Sequence, residues 1–245
     1  LELSRENKIA IISDSMSMPR GEKVGNISYE STYPIILEDK FNKFFSIDKA
    51  PRLIVRGKRS RTIMQVKEEW TEVIDFIKPQ TVVIHVGITD CAPRILGETK
   101  RKLVDGIKID FVKNGIINYL KRNRTKLILK NPTKRFVTKE VFEKEYKNII
   151  NHLTPKTHKI IFIGILNVSD DLEKKSPGYL ESVKLYNSVL SSGADNKKIY
   201  FLDVNKEFEQ HNFNECRLED GYHYSIKGNG IVAGALFDIL KHDFE

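Results

Sequence analysis

Five short aliphatic runs, spaced through the chain and nearly free of polar interruption, limit the folds open to this sequence. They occupy residues 8–13 (KIAIIS), 52–56 (RLIVR), 81–86 (TVVIHV), 159–165 (KIIFIGI) and 198–204 (KIYFLDV). A strand with one face in water alternates apolar and polar residues, whereas a strand covered on both faces is apolar almost throughout. β-Branched residues dominate the runs, and such residues suit strands. The runs therefore predict a parallel sheet buried between two layers of helices.

Helical patterns fall between the runs. Residues 31–45 carry Ile36, Leu37, Phe41, Phe44 and Phe45, with Pro34 tolerable in a first turn. Residues 66–77 place Val66, Trp70, Ile74 and Ile77 on one helical face. Two more helices are expected, at 176–189 behind Pro177 and at 230–240. This alternation predicts an α/β fold, a three-layer α/β/α domain around a five-stranded parallel sheet of flavodoxin-like order. The 245 residues suit a single domain over 1–245.

The stretch 96–153 breaks the rhythm. It is too long for one crossover and reads as two or three helices, with RTKLILKNPTKRF between them, inserted on the third crossover. The chain carries a net charge of +8, and residues 100–145 hold fourteen Lys or Arg against five Asp or Glu. Two readings stay open for this basic insertion. It is a solvated helical face, or it meets an anionic partner such as a charged glycan polymer, a nucleotide-linked donor, nucleic acid or a membrane surface. A nucleic-acid role has charge behind it and no motif.

No apolar run approaches the roughly 20 residues of a membrane span, and no signal peptide opens the sequence. The two cysteines, Cys91 and Cys216, form no CxxC pair. A disulfide framework is not expected, and a cytoplasmic, reducing location is. Neither HExxH nor a Cys/His cluster is present, so no metal and no cofactor is expected.

Ligands of open parallel sheets bind beyond the C-terminal ends of the strands. Asp14 and Ser15 follow the first run, and Gly57 follows the second. GITDCAPR, with Gly87, Thr89 and Asp90, follows the third; the loop after the fifth leads to LEDGYHYSIKGNG, with Asp220 and His223. A serine hydroxyl becomes a nucleophile when a base takes its proton. A histidine can be that base, and an aspartate three residues earlier can hold the far ring nitrogen as a donor.

These blocks resemble those of the SGNH hydrolase superfamily, the GDSL-type esterases and acyltransferases. Ser13-Asp14-Ser15 is similar to the family's Gly-Asp-Ser block, and Gly57 to the glycine of its second. Gly87-Ile88-Thr89-Asp90 is similar to Gly-x-Asn-Asp, and Asp220-Gly221-Tyr222-His223 to Asp-x-x-His. Two positions depart from the pattern: Ser13 stands for a glycine and Thr89 for the asparagine. The resemblance implies Ser15 as nucleophile, His223 as base and Asp220 as its support. It implies an oxyanion hole from the amides of Ser15 and Gly57 with whatever Thr89 offers in place of the asparagine amide. It also implies removal or transfer of an acyl group, an acetyl above all, on a small-molecule or glycan ester. Two rival readings are a binding protein that keeps the fold without turnover and a group-transfer enzyme of surface-polysaccharide assembly.

Asp14 is a candidate substrate contact. Arg94 faces either a substrate anion or Asp90, and Asp90 itself is expected to brace its loop. Cys91 reads as a small buried residue and His85 as a core or interlayer histidine. His152 and His158 carry no signal.

Overall fold

The computed structural model describes residues 7–46 and 48–244. Five parallel strands form one sheet: β1 (Lys8–Ser13), β2 (Arg52–Gly57), β3 (Thr81–His85), β4 (Lys159–Ile163) and β5 (Ile199–Leu202), in the order β2-β1-β3-β4-β5. The chain leaves β1 for β2 on one side and returns to β3 on the other. The C-terminal ends of β1 and β3 therefore diverge into opposite connections, the place where such sheets open a crevice.

The apolar runs are continuous because alternate residues serve opposite layers. Ala10, Ile12, Val82, Ile84, Ile160 and Phe162 face one core, and Ile9, Ile11, Val83, Ile161 and Ile163 face the other. α1 (Tyr33–Phe44) and α10 (Ile226–Leu240) cover the second face, where Phe41 packs against the rings of Phe237 and Phe244. Each large apolar side chain buried this way contributes roughly 1.5–3 kcal/mol.

The segment predicted as one regular helix over 66–77 differs from that expectation. Residues Ile63–Glu69 wind tightly, about three residues per turn, and Trp70–Ile77 wind more widely in π geometry. The change of pitch moves the inward face to Ile63, Val66, Val73 and Ile74, and leaves Phe76 exposed to solvent.

The stretch after β3 contains α2 (Ile88–Cys91), α3 (Glu98–Asp105), α4 (Asp110–Arg122), α5 (Arg124–Leu129) and α6 (Lys139–Leu153). RTKLIL, expected between helices, is itself α5. α6 is the crossover helix proper: Phe142, Tyr146, Ile149 and Leu153 are buried on it. α4 buries no residue fully and α5 buries Ile128 alone. The added structure is thus α3–α5, laid on the outside, and α6 belongs to the layer. Past β4 come α7 (Asp170–Lys175), α8 (Tyr179–Ser191) and α9 (Val204–Glu209). No helix among the described residues is long and apolar enough to cross a membrane.

Candidate active site

β1 ends at Ser13, and the next amide, Asp14 N–H, donates to the His85 carbonyl at the end of β3 (2.9 Å). A single tight turn, Ser15–Ser17, follows. Asp14 caps it, its Oδ1 accepting from Met16 N–H at 2.9 Å. The Ser15 amide opens the turn, where helical geometry supplies no internal acceptor. Ser13 and Ser17 hydroxyls bond to each other beneath it.

Ser15 Oγ lies 3.1 Å from His223 Nε2. The other ring nitrogen, Nδ1, lies 2.5 Å from Asp220 Oδ2, while Asp220 Oδ1 accepts from the His223 and Tyr222 amides at 3.1 and 3.3 Å. A carboxylate at Nδ1 makes that nitrogen the donor, so Nε2 presents its lone pair to the serine. The turn that brings Asp220 back under His223 needs Gly221 at φ +87°, where a Cβ would collide with Ser169. The Tyr222 ring lies against the imidazole, with centroids 4.0 Å apart.

Electrostatics favour the neutral imidazole and the charged carboxylate. Burial lowers the His223 pKa; Asp220 opposes this, and the Arg20 and Arg59 guanidiniums add to it. Burial works against ionisation of Asp220 as well, but the bonds from His223 outweigh it and hold the carboxyl below its ordinary range.

The remaining sequence-derived residues divide. Gly57 closes β2 opposite Ser13, and a Cβ there would lie 2.9 Å from Met18 Cγ and 3.0 Å from Ser17 Oγ. Glycine is needed so that the serine turn can pack against β2. Thr89 stands in α2, behind Gly87 at φ +128°, and its carbonyl accepts from Arg94 Nη2 at 3.1 Å. Asp14, expected as a substrate contact, is 1% exposed and turns inward as the turn's cap. Its Oδ2 has no hydrogen-bond partner, and burial raises the carboxyl pKa to about 7. Arg94 makes no ion pair with Asp90; its guanidinium lies over the Phe136 ring, 3.8 Å from the centroid. Asp90 is fully buried and accepts from Ile63 N–H at 3.0 Å, tying the loop after β3 to the segment after β2. Cys91 is buried, and His85 lies between Tyr33 and Tyr224, 3.2 Å from each hydroxyl.

Arg20 and Arg59 are site residues the sequence reading passed over. Arg20 Nη2 donates to the Ser15 carbonyl at 3.2 Å, and Arg59 donates to Pro19 O at 3.2 Å. Arg20 ends the stretch MSMPR just after Ser15, and Arg59 stands two residues after Gly57 in RGKRSRT. Their one signal was adjacency to the serine turn and to Gly57.

No family model and no curated protein matches the chain. Solved structures do. LAE5, an α/β hydrolase enzyme from the metagenome of Lake Arreo, Spain, aligns with TM-score 0.65 at 18% identity, over 96% of this chain and 95% of its own. A lipase/acylhydrolase from Enterococcus faecalis aligns with TM-score 0.65 at 14% identity, over 98% and 97%. A catalytic mutant of Axe2, an acetylxylan esterase from Geobacillus stearothermophilus, aligns with TM-score 0.64 at 17% identity, over 96% and 94%. The likeness runs nearly end to end and is one of fold: a five-stranded 2-1-3-4-5 sheet flanked by helices, like that of SGNH hydrolases.

Proposed function

We propose that this protein is a serine esterase that removes an acetyl group from a carbohydrate through an acyl-Ser15 intermediate. The observation that carries the reading is the unbroken line of hydrogen bonds from Ser15 Oγ through the His223 ring to Asp220. The structural matches add support: the catalytic mutants of Axe2 among them replace a serine, an aspartate and a histidine, the three residue types that meet here.

In this mechanism Ser15 Oγ attacks the ester carbonyl carbon as His223 Nε2 takes the hydroxyl proton. Asp220 stabilises the imidazolium that forms. The Ser15 and Gly57 amides, with the Thr89 hydroxyl, hold the negative charge that develops on the carbonyl oxygen. Collapse of the tetrahedral intermediate breaks the bond to the sugar oxygen, which leaves with the proton from His223. Water then attacks the acyl-serine, giving its proton to His223, and acetate departs as Ser15 Oγ recovers a proton. A sugar hydroxyl in place of that water would make the same intermediate an acyl donor.

The test is a fluorophosphonate probe, which reacts with activated serines, alongside release of acetate from acetylated xylo-oligosaccharides and acetylated monosaccharides. The adduct should map to Ser15 and vanish in His223→Ala. A folded protein that takes no adduct and frees no acetate would overturn the reading.

A further inference from the structure

Helices α3–α5 line one open cleft, and a second lies beside it against residues 60–65. Two cavities, of about 370 and 300 Å³, share Ser60, Arg101 and Phe136 as walls. Thr89 lines the smaller, while Arg94, Lys121 and Arg124 line the larger together with Ile117 and Leu120. Among the described residues no carboxylate lines either one.

The cations here are held by neutral partners. Arg94 donates to the Thr89 carbonyl, and Arg124 donates to Ser176 Oγ at 2.7 Å and approaches Pro93 O at 3.5 Å. Arg101 has an acid, Asp105, but at 3.6 Å with both side chains more than half exposed, a weak pairing. The Lys121 ammonium has no hydrogen bond or ion pair among the described residues. Arg94 Nε is buried without an acceptor. Burial lowers the pKa of both Arg94 and Arg124, and the Arg101 and Arg124 charges lower that of Arg94 further. Carbonyls, a hydroxyl and an aromatic face orient these guanidiniums without neutralising them. Unopposed positive charge in a partly dry, preformed cleft favours a bound anion.

We propose that this cationic groove is a subsite that takes an oxyanion carried by the substrate, a phosphate or a carboxylate, with the sugar's apolar faces against Ile117 and Leu120. The proposal rests on the esterase reading. It names the substrate class as an acetylated sugar that also bears negative charge. The subsite lies near the reaction centre: the Arg94 charge acts on the Tyr222 hydroxyl, and the Tyr222 ring lies against the His223 imidazole. The anionic group therefore lies on a neighbouring sugar or at a far carbon of the same one, away from the ester that is cleaved.

Two measurements test it on the full chain. Calorimetry follows binding of inorganic phosphate, glucose 1-phosphate, glucuronate and glucose, each at low and high salt. Steady-state kinetics compares acetylated glucuronate and acetylated glucose phosphate with acetylated glucose. Anionic sugars should bind at least tenfold tighter than glucose, losing the advantage in high salt. Their KM should be lower by a similar factor. Arg124→Glu and the milder Lys121→Gln, the latter at an exposed position that folding does not need, should shrink that discrimination. Preference for the phosphates or for glucuronate identifies which oxyanion the groove takes. Equal binding of charged and neutral sugars, or discrimination that survives both substitutions, overturns the subsite. Anion binding without any Ser15 adduct would instead overturn the esterase reading and leave the groove standing as a binding site.

Discussion

Asp90→Asn should change the pH dependence of stability in a calculable way. The Asp90 carboxyl is buried, with Oδ1 bound to Ile63 N–H and Oδ2 without a partner. Burial, aided by the nearby Asp14, raises its pKa from 3.8 to about 7. A carboxyl raised in the folded state binds a proton that the unfolded chain has already released. Its stabilising contribution is complete below the unfolded pKa and is lost as pH rises through the folded one. Between those values the slope is about −1.4 kcal/mol per pH unit. From pH 5 to pH 7 the loss is about 2.3 kcal/mol, and above pH 7 the curve flattens. Asparagine keeps the oxygen that accepts from Ile63 and removes the ionisation. Urea unfolding at pH 5, 6 and 8 measures the outcome. The variant should gain about 2.5 kcal/mol on its parent between the first and last condition, whatever their difference at pH 5. Parallel stability curves for the two proteins would refute the argument that Asp90 titrates near neutrality.

Three further outcomes follow from the site. Arg20→Ala removes a positive charge that lowers the His223 pKa, so the acid limb of the kcat/KM profile should move to higher pH; an unmoved limb would show that Arg20 does not act on the imidazole. Gly57→Ala places a methyl group 2.9 Å from Met18 Cγ, so esterase activity should fall by about tenfold or more while the melting temperature changes little, measured by ester hydrolysis and calorimetry. Thr89→Asn restores an amide donor and should raise kcat about tenfold, below the 2.7–4 kcal/mol that a well-formed oxyanion donor is worth; if Thr89→Val matches the parent and Asn gives no gain, position 89 is outside the oxyanion hole.

The sheet was legible because its strands are buried on both faces, which writes continuous apolar runs into the sequence. The places where strands stop were less so. The fourth run continues to Ile165 in sequence, yet β4 ends at Ile163. Ile165 is instead held by asparagines far along the chain. Asn187 accepts from its amide at 2.7 Å and donates to its carbonyl at 2.8 Å, while Asn205 donates to the same carbonyl at 3.0 Å. No local pattern announces such clamps. The 66–77 segment is helical as expected but departs from its expected face for a related reason: spacing alone assumes a fixed pitch, and here the pitch changes at Trp70.

The candidate site shows the same division between local and distant causes. Ser15, Asp220 and His223 stand at positions whose spacing carries chemical meaning, and the structure brings all three within hydrogen-bond reach. Asp14 is next to Ser15 in sequence, yet a tight turn sends neighbouring side chains in different directions. One carries the hydroxyl toward His223 and the other folds back to cap Met16. Arg94 posed a choice between Asp90 and an outside anion. Asp90 is taken up by Ile63, and Arg94 is held over Phe136, a residue more than forty positions away in sequence. A charge excess in the sequence therefore marks the segment that supplies cations, but their use depends on which are already neutralised. Arg61, bound to Glu69, is 2% exposed, whereas Lys121 stands open to solvent without a partner. Partner geometry, which only the fold supplies, decides which of these cations line the proposed anion subsite.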